Sequence, residues 1–287
     1  MQQRTLGGTS VSAVGLGGMP MSIEGRPDED RSIRTIHAAL EAGVTLIDTA
    51  DAYHRDADEV GHNESLIAKA LSSFGSGATD VLVATKGGHL RPGDGSWTQN
   101  GHPDYLKEAA KASLARLGGD AIDLYQFHRP DTEVPYEDSI GALKDLLDDG
   151  VIRMAGISNA TVDQIRKANQ ILDGCLVSVQ NQFSPAFRSS EDELRYCGEN
   201  GIAFLPWSPL GGIQKAGGLG ETFAPFQEAA DKHGVSPQQV CLAWELALSP
   251  TVIPIPGASR PESIIDSAKA AELQLSDEEI QALSAAL

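Results

Sequence analysis

Short apolar runs recur along the whole chain, separated by stretches whose apolar positions return every three or four residues. The runs cover residues 13–16, 45–47, 81–85, 122–127, 154–157, 177–179, 203–206 and 252–255. Being apolar on both faces, they fit strands of a parallel sheet covered by helices. Between them, amphipathic patterns at 33–41, 66–74, 105–117, 139–148, 162–172, 192–199 and 237–248 predict helices. Eight strand–helix alternations predict an α/β fold, a closed (β/α)8 TIM barrel rather than an open doubly wound sheet. No linker or low-complexity tract interrupts the pattern, so residues 1–287 read as one domain.

Two segments lie outside the alternation. Residues 4–6 and 11–12, joined through Gly7-Gly8, predict an N-terminal β-hairpin placed to plug the barrel floor. Ser276-Asp277-Glu278-Glu279 is a capping box that opens a C-terminal helix running to Leu287.

Composition narrows the function classes. A length of 287 residues would also fit two conventional domains, so the alternation carries the assignment. The net charge of −18 argues against a nucleic-acid partner or an anionic membrane surface, since both need surplus Lys and Arg. An anionic cofactor would then depend on a few local cations. Cys175, Cys197 and Cys241 form no CxxC and are expected to be buried small hydrophobes in a reducing compartment. Residues 1–8 contain no apolar leader, and no run nears the roughly 18 apolar residues of a membrane span. A cytoplasmic monomer acting on a small molecule is expected.

Single chemically active residues stand where the apolar runs stop. Asp48 follows 44–47, Lys86 closes 81–84, His128 closes 122–127, and Tyr53 lies five residues beyond Asp48. One barrel face gathers such strand ends. A tyrosine with an ordinary pKa near 10 becomes a usable acid when an ammonium stabilises its phenolate. A carboxylate keeps that ammonium charged, and a neutral histidine orients a carbonyl. Singly, each of the four could be a loop cap, a packed aromatic or a solvated charge. Together they have the composition of a carbonyl reductase site.

These residues sit within longer motifs. Leu46-Ile47-Asp48-Thr49-Ala50 with Tyr53, Thr85-Lys86 and Asp123-Leu124-Tyr125-Gln126-Phe127-His128 resemble the aldo-keto reductase family. The resemblance continues in order through Gly150-Val151-Ile152-Arg153, Gly156-Ile157-Ser158-Asn159, Val179-Gln180-Asn181-Gln182 and Pro206-Trp207-Ser208-Pro209-Leu210. It implies an NADPH-dependent reductase of aldehydes or ketones whose catalytic tetrad is Asp48, Tyr53, Lys86 and His128. It further implies that Ser158, Asn159 and Gln180 grip the nicotinamide carboxamide and that Trp207 stacks on its ring. Gly17, Gly18, Met19, Asp48, Ser208, Pro209, Leu210, Gly211, Gly257, Ser259 and Arg260 would complete the cofactor cleft. The glycine-rich stretch 210–220 resembles the segment that covers the pyrophosphate, and equally suits a flexible loop.

The eighth strand end departs from the family pattern. The usual Lys is lost from Ile255-Pro256-Gly257-Ala258-Ser259-Arg260, the usual Arg falls on Ser263, and the adenine-holding Glu and Asn fall on Asp266 and Ser267. Arg260, beside a helix expected to start at Pro261, is left as the nearby cation for a 2′-phosphate. NADP is therefore expected over NAD. Substrate would meet Met19, Tyr53, His128 and Trp97 of the 88–101 loop, although Trp97 could instead pack that loop shut. Ending soon after residues 276–287, the chain lacks the long tail of steroid-reducing relatives, as in bacterial-type members. That implies an open site for small, sugar-like or pyridoxal-like carbonyls.

Other chemistries fit less well. Gly15-Leu16-Gly17-Gly18-Met19-Pro20 puts Pro where a dinucleotide fingerprint needs its third Gly. Asp51, His54 and His62 lack metal-ligand spacing after a strand, so no metal is expected. A slow-turnover regulatory subunit and a metal-dependent barrel hydrolase are the alternative classes.

Overall fold

A computed structural model describes residues 1–286 of the chain. Two short strands, β1 (Gln3–Leu6) and β2 (Thr9–Ser12), form the antiparallel hairpin. Its turn needs left-handed backbone at both positions, which Gly7 (φ +56°) and Gly8 (φ +85°) supply. A Cβ at Gly7 would also lie 2.5 Å from Met154 Sδ. The hairpin side chains Leu6 and Val11 pack with Leu46, Leu82, Leu124, Leu205 and Ile253 inside the barrel, closing its floor as the sequence predicts.

The barrel strands are β3 (Leu16–Gly17), β4 (Leu46–Asp48) and β5 (Leu82–Gly87), then, after a lip hairpin of β6 (His89–Leu90) and β7 (Thr98–Gln99), β8 (Ile122–Phe127), β9 (Ile152–Ser158), β10 (Leu176–Gln180) and β11 (Ala203–Phe204). The seven barrel strands pair in parallel in the order β11-β10-β9-β8-β5-β4-β3. The eighth run, 252–255, does not form the regular strand expected. Its Ile253 and Ile255 N–H groups donate to Phe204 O and Pro206 O, while Pro254 O and Pro256 O accept from Gly15 and Gly17. Prolines at alternate positions remove the donors that would complete the ladder toward β3. Single bridges, Phe204 to Val252 and Gly17 to Gly257, close the ring instead. The first strand also starts later than expected, because residues 13–14 bend between hairpin and barrel, with Ser12 Oγ bonded to Val14 O.

Around the barrel run α1 (Glu29–Glu41), α2 (His62–Phe74), α3 (Pro103–Leu117), α4 (Tyr136–Asp148), α5 (Val162–Ile171) and α6 (Glu191–Asn200). They continue with α7 (Leu219–Thr222), α8 (Ala224–His233), α9 (Pro237–Leu248), α10 (Pro261–Lys269) and α11 (Asp277–Ala285). The Ser276 box holds as predicted: its hydroxyl accepts from Glu279 N, and Glu279 accepts from Ser276 N. Leu287, the expected last residue of that helix, lies outside the described residues. Helix α8 has no counterpart among the expected helices, since only Phe226 and Ala230 of its ten residues are buried. Cys197 and Cys241 are buried, but Cys175 is exposed, correcting the expectation for all three. It sits just after Gly174 in the loop below β10, outside the packed layer. No helix among the described residues is long and apolar enough to cross a membrane.

Strand parity decides what reaches the interior. Leu46, Leu82, Ala84 and Leu124 point into the barrel, whereas Ile47, Val83, Tyr125 and Phe127 face the helix layer. Successive side chains alternate, so Asp48, Lys86, Gln126 and His128 continue the inward rows to the C-terminal rim.

Candidate active site

Asp48, Tyr53, Lys86 and His128 meet at this rim. Lys86 is fully buried, and its Nζ donates to Asp48 Oδ2 (2.7 Å), Thr49 O (2.8 Å) and Tyr53 Oη (3.2 Å). Gln180 Nε2 supports the other carboxylate oxygen of Asp48 at 2.7 Å, and Gln126 Nε2 approaches the same atom at 3.5 Å. The rings of Tyr53 and His128 meet edge to face, centroids 5.8 Å apart.

Burial disfavours the Lys86 ammonium, but the Asp48 charge and Tyr53 outweigh it and hold its pKa above 10.5. For Tyr53, burial pushes the phenol above 10.0, and Lys86 is the principal opposing influence. The expected lowering by Lys86 is therefore present but outweighed, because the phenol lies in a desolvated wall. Burial, reinforced by the positive charge of Lys86, keeps His128 well below its usual 6.5 and hence neutral. Its Nδ1 is buried without a partner among the described residues.

Asp48, Tyr53 and His128 border a cavity of about 630 Å³, which also takes in Met19, Trp97, Ser158, Asn159, Gln180 and Trp207, while Lys86 lies buried behind them. It runs past Ser208, Pro209 and Leu210 on one side and Gly17 and Gly257 on the other. Gly17 and Gly257 are needed there: a Cβ on Gly17 would fall 2.9 Å from Ile255 O, and one on Gly257 2.8 Å from Pro20. Asn159 and Ser208 adopt positive φ, 57° and 52°, uncommon for non-glycine residues and placed here at two strand ends. Asn159 is well braced, with Nδ2 donating to His128 O (3.0 Å) and Oδ1 accepting from Trp207 Nε1 (3.2 Å). An indole face beside two carboxamides and the Ser158 hydroxyl fits a flat aromatic amide such as nicotinamide, with apolar surface below and polar groups at the edge.

Not every sequence-predicted residue reaches the cavity. Gly18, Gly211, Ser259 and Arg260 do not line it. Gly18 instead ties the site together, donating to Asp48 O at 2.8 Å. Arg260 is exposed at the N-cap of α10, its Nε donating to Ser263 Oγ at 2.7 Å. Asp266, expected near adenine, accepts from Ser236 Oγ (2.6 Å) and Gln239 Nε2 (2.5 Å) at the start of α9. In the 210–220 stretch only Gly211 and Gly212 use left-handed backbone, while Gly217, Gly218 and Gly220 enter helical turns.

Sequence reasoning missed several wall residues. Gln126 was accessible to it, being an inward-parity position on β8. Arg129 was not, because its loop position follows no period, whereas His89 and Arg91 belong to the 88–101 segment expected at the pocket. His89 stacks on Trp97 with centroids 4.7 Å apart, and Arg91 covers the other aromatic contact of that indole at 4.9 Å. Of the residues weighed as metal ligands, His54 Nδ1 meets Asp56 O and His62 Nδ1 meets Ser22 Oγ.

Comparison with known proteins agrees with the fold. Residues 13–287 match the model of the aldo/keto reductase family. An uncharacterised oxidoreductase of Schizosaccharomyces pombe is 35% identical over 277 residues, covering 95% of this chain and 86% of the relative. A glycerol dehydrogenase from Gluconobacter oxydans superposes with TM-score 0.84 at 27% identity, covering 99% of this chain and 94% of that one. The holo form of an aldo-keto reductase from Bacillus halodurans gives 0.78 at 28%, covering 100% and 96%. A closed parallel barrel, a rim that pairs a buried lysine with a carboxylate and a tyrosine, and a family match across the chain lead to one conclusion: the protein belongs to the aldo/keto reductase family and is an oxidoreductase.

Proposed function

We propose that the protein reduces small aldehydes and ketones to alcohols with NADPH, Tyr53 supplying the proton. The carrying observation is the single ammonium of Lys86 held between Asp48 and Tyr53 beneath an open cavity. A bound nicotinamide supplies the hydride that adds to the carbonyl carbon. The Tyr53 hydroxyl gives its proton to the carbonyl oxygen, and Lys86 stabilises the phenolate left behind. Neutral His128 donates a ring N–H to the same oxygen and fixes the carbonyl without charging. Asp48 keeps Lys86 protonated through the cycle. Trp207 carries the nicotinamide face, with Ser158, Asn159 and Gln180 at its carboxamide edge. Arg260, with the amides opening α10 behind it, holds the 2′-phosphate that separates NADP from NAD.

Replacing Tyr53 tests the assignment directly. Tyr53→Phe removes the hydroxyl and almost no volume, so kcat falls by about 10²–10⁴ while NADPH still quenches tryptophan fluorescence at wild-type concentrations. Full turnover in this variant would dismiss Tyr53 as the acid.

A further inference from the structure

We infer that Arg129 forms a carboxylate subsite in the cavity, so that the preferred carbonyls carry an acid group. This deepens the reductase reading and rests on it. The two arginines lining the cavity are neutralised very differently. Arg91 is almost wholly buried, pairs with Glu24 and caps His54 O, so its charge is spent within the wall. Arg129 has no such partner among the described residues. Its one hydrogen bond among the described residues runs from Nη2 to Asn159 Oδ1 at 3.3 Å, a neutral oxygen that Trp207 already occupies. Its Nε is buried with nothing to bond.

The nearest carboxylate in sequence is engaged by backbone amides. Asp131 accepts from Gly101 N (2.8 Å) and Glu133 N (2.9 Å). Glu24, the other acid at the cavity apart from Asp48, is taken by Arg91. The charge of Arg129 also acts on two imidazoles, His89 and His128. His89 and His128 meet edge to face at 4.8 Å, and burial together with the Arg129 and Lys86 charges keeps both rings neutral. A cationic group lining the cavity of a chain of net charge −18 thus lacks a counter-ion among the described residues.

The chemistry of the gap selects the ligand. One guanidinium offers a planar fork of N–H donors, which matches a carboxylate's two oxygens and single charge. The flanking rings, His89 stacked on Trp97, give an apolar surface for the carbon skeleton between acid and carbonyl. The subsite is separate from Tyr53 and His128, which face the reacting carbonyl.

Matched acid and ester substrates test this. Succinic semialdehyde is compared with methyl 4-oxobutanoate, and 4-carboxybenzaldehyde with methyl 4-formylbenzoate, by NADPH oxidation. The wild type favours each acid in kcat/KM. Arg129→Gln lowers the acid-to-ester ratio by about 10–150-fold, mainly through KM of the acid, the range expected when a charge-assisted contact is lost. Arg129→Lys, which keeps the charge and loses the fork, falls between the two. Rising salt erodes the acid preference of the wild type and leaves that of Arg129→Gln unmoved. Turnover of acids and esters at equal efficiency, or equal losses of both in Arg129→Gln, would overturn the subsite and leave the reductase reading standing. No reduction of any of the four by the wild type would overturn both.

Discussion

Lys86→Met removes three hydrogen bonds and one charge from a fully buried position and keeps an unbranched side chain one atom shorter. The stability effect is carried by what remains. Asp48, with its side chain only 4% exposed, keeps Gln180 at 2.7 Å and a long contact to Gln126, and loses its counter-ion at 2.7 Å. Removing one partner of a buried pair costs about 3–5 kcal/mol, because the other charge is left uncompensated. The expected unfolding free energy therefore drops by that amount in urea titrations, without a change in slope. Adding Asp48→Asn to Lys86→Met removes the stranded charge and recovers most of the loss. The pH dependence has a defined sign. The folded-state pKa of Lys86 lies above 10.5, so the pair contributes fully at neutral pH and fades only as pH rises through that higher value. The gap between wild type and Lys86→Met thus stays constant from pH 7 to the onset of alkaline unfolding, then narrows. Activity falls too, since the phenolate of Tyr53 loses the charge that opposes its burial. A variant within about 1 kcal/mol of wild type, below the range for a broken buried pair, would show that the ion pair does not hold this rim together.

Arg260→Ala weakens NADPH by roughly 10–150-fold and leaves NADH nearly unaffected, the range for a lost charge-assisted contact. Titrating both cofactors checks it, and equal losses would make Arg260 structural. Asp51→Asn is expected to stabilise the protein. Burial, aided by Glu64, pushes the Asp51 carboxyl up to about 8, and its Oδ1 has no partner. Wild type therefore loses stability as pH climbs from about 4 to 8, because the unfolded chain releases that proton first. The variant gains a few kcal/mol at pH 8 and nothing near pH 4, by the linkage of pKa shift to stability. Urea midpoints at both pH values measure this, and a pH-independent difference would refute it.

The legible part of this fold was the part written in periods. Leu82, Ala84, Lys86 on β5 and Leu124, Gln126 on β8 share one parity, so a reader of the sequence knows that the lysine follows the leucines inward. The Ser276 box and the Gly7-Gly8 turn are legible for a similar reason, since each is a bond pattern among residues a few positions apart. The eighth strand was over-read because its apolar content satisfied a strand, while the cost of Pro254 and Pro256 appears only against the neighbour they must pair with.

Local pattern thus determined the alternation of elements, the facing of each strand and the identity of the rim residues, because backbone geometry converts spacing into direction. Closure of the ring determined the rest. Gln180 reaches Asp48 across 132 residues of chain, and Trp207 reaches Asn159 across 48. Whether a charge is neutralised depends on which loops come to lie beside it: Arg91 finds Glu24, and Arg129 finds an amide and two neutral imidazoles. No spacing encodes those neighbours, and the direction in which burial moves Tyr53 and His128 exists only once the barrel has excluded water around them.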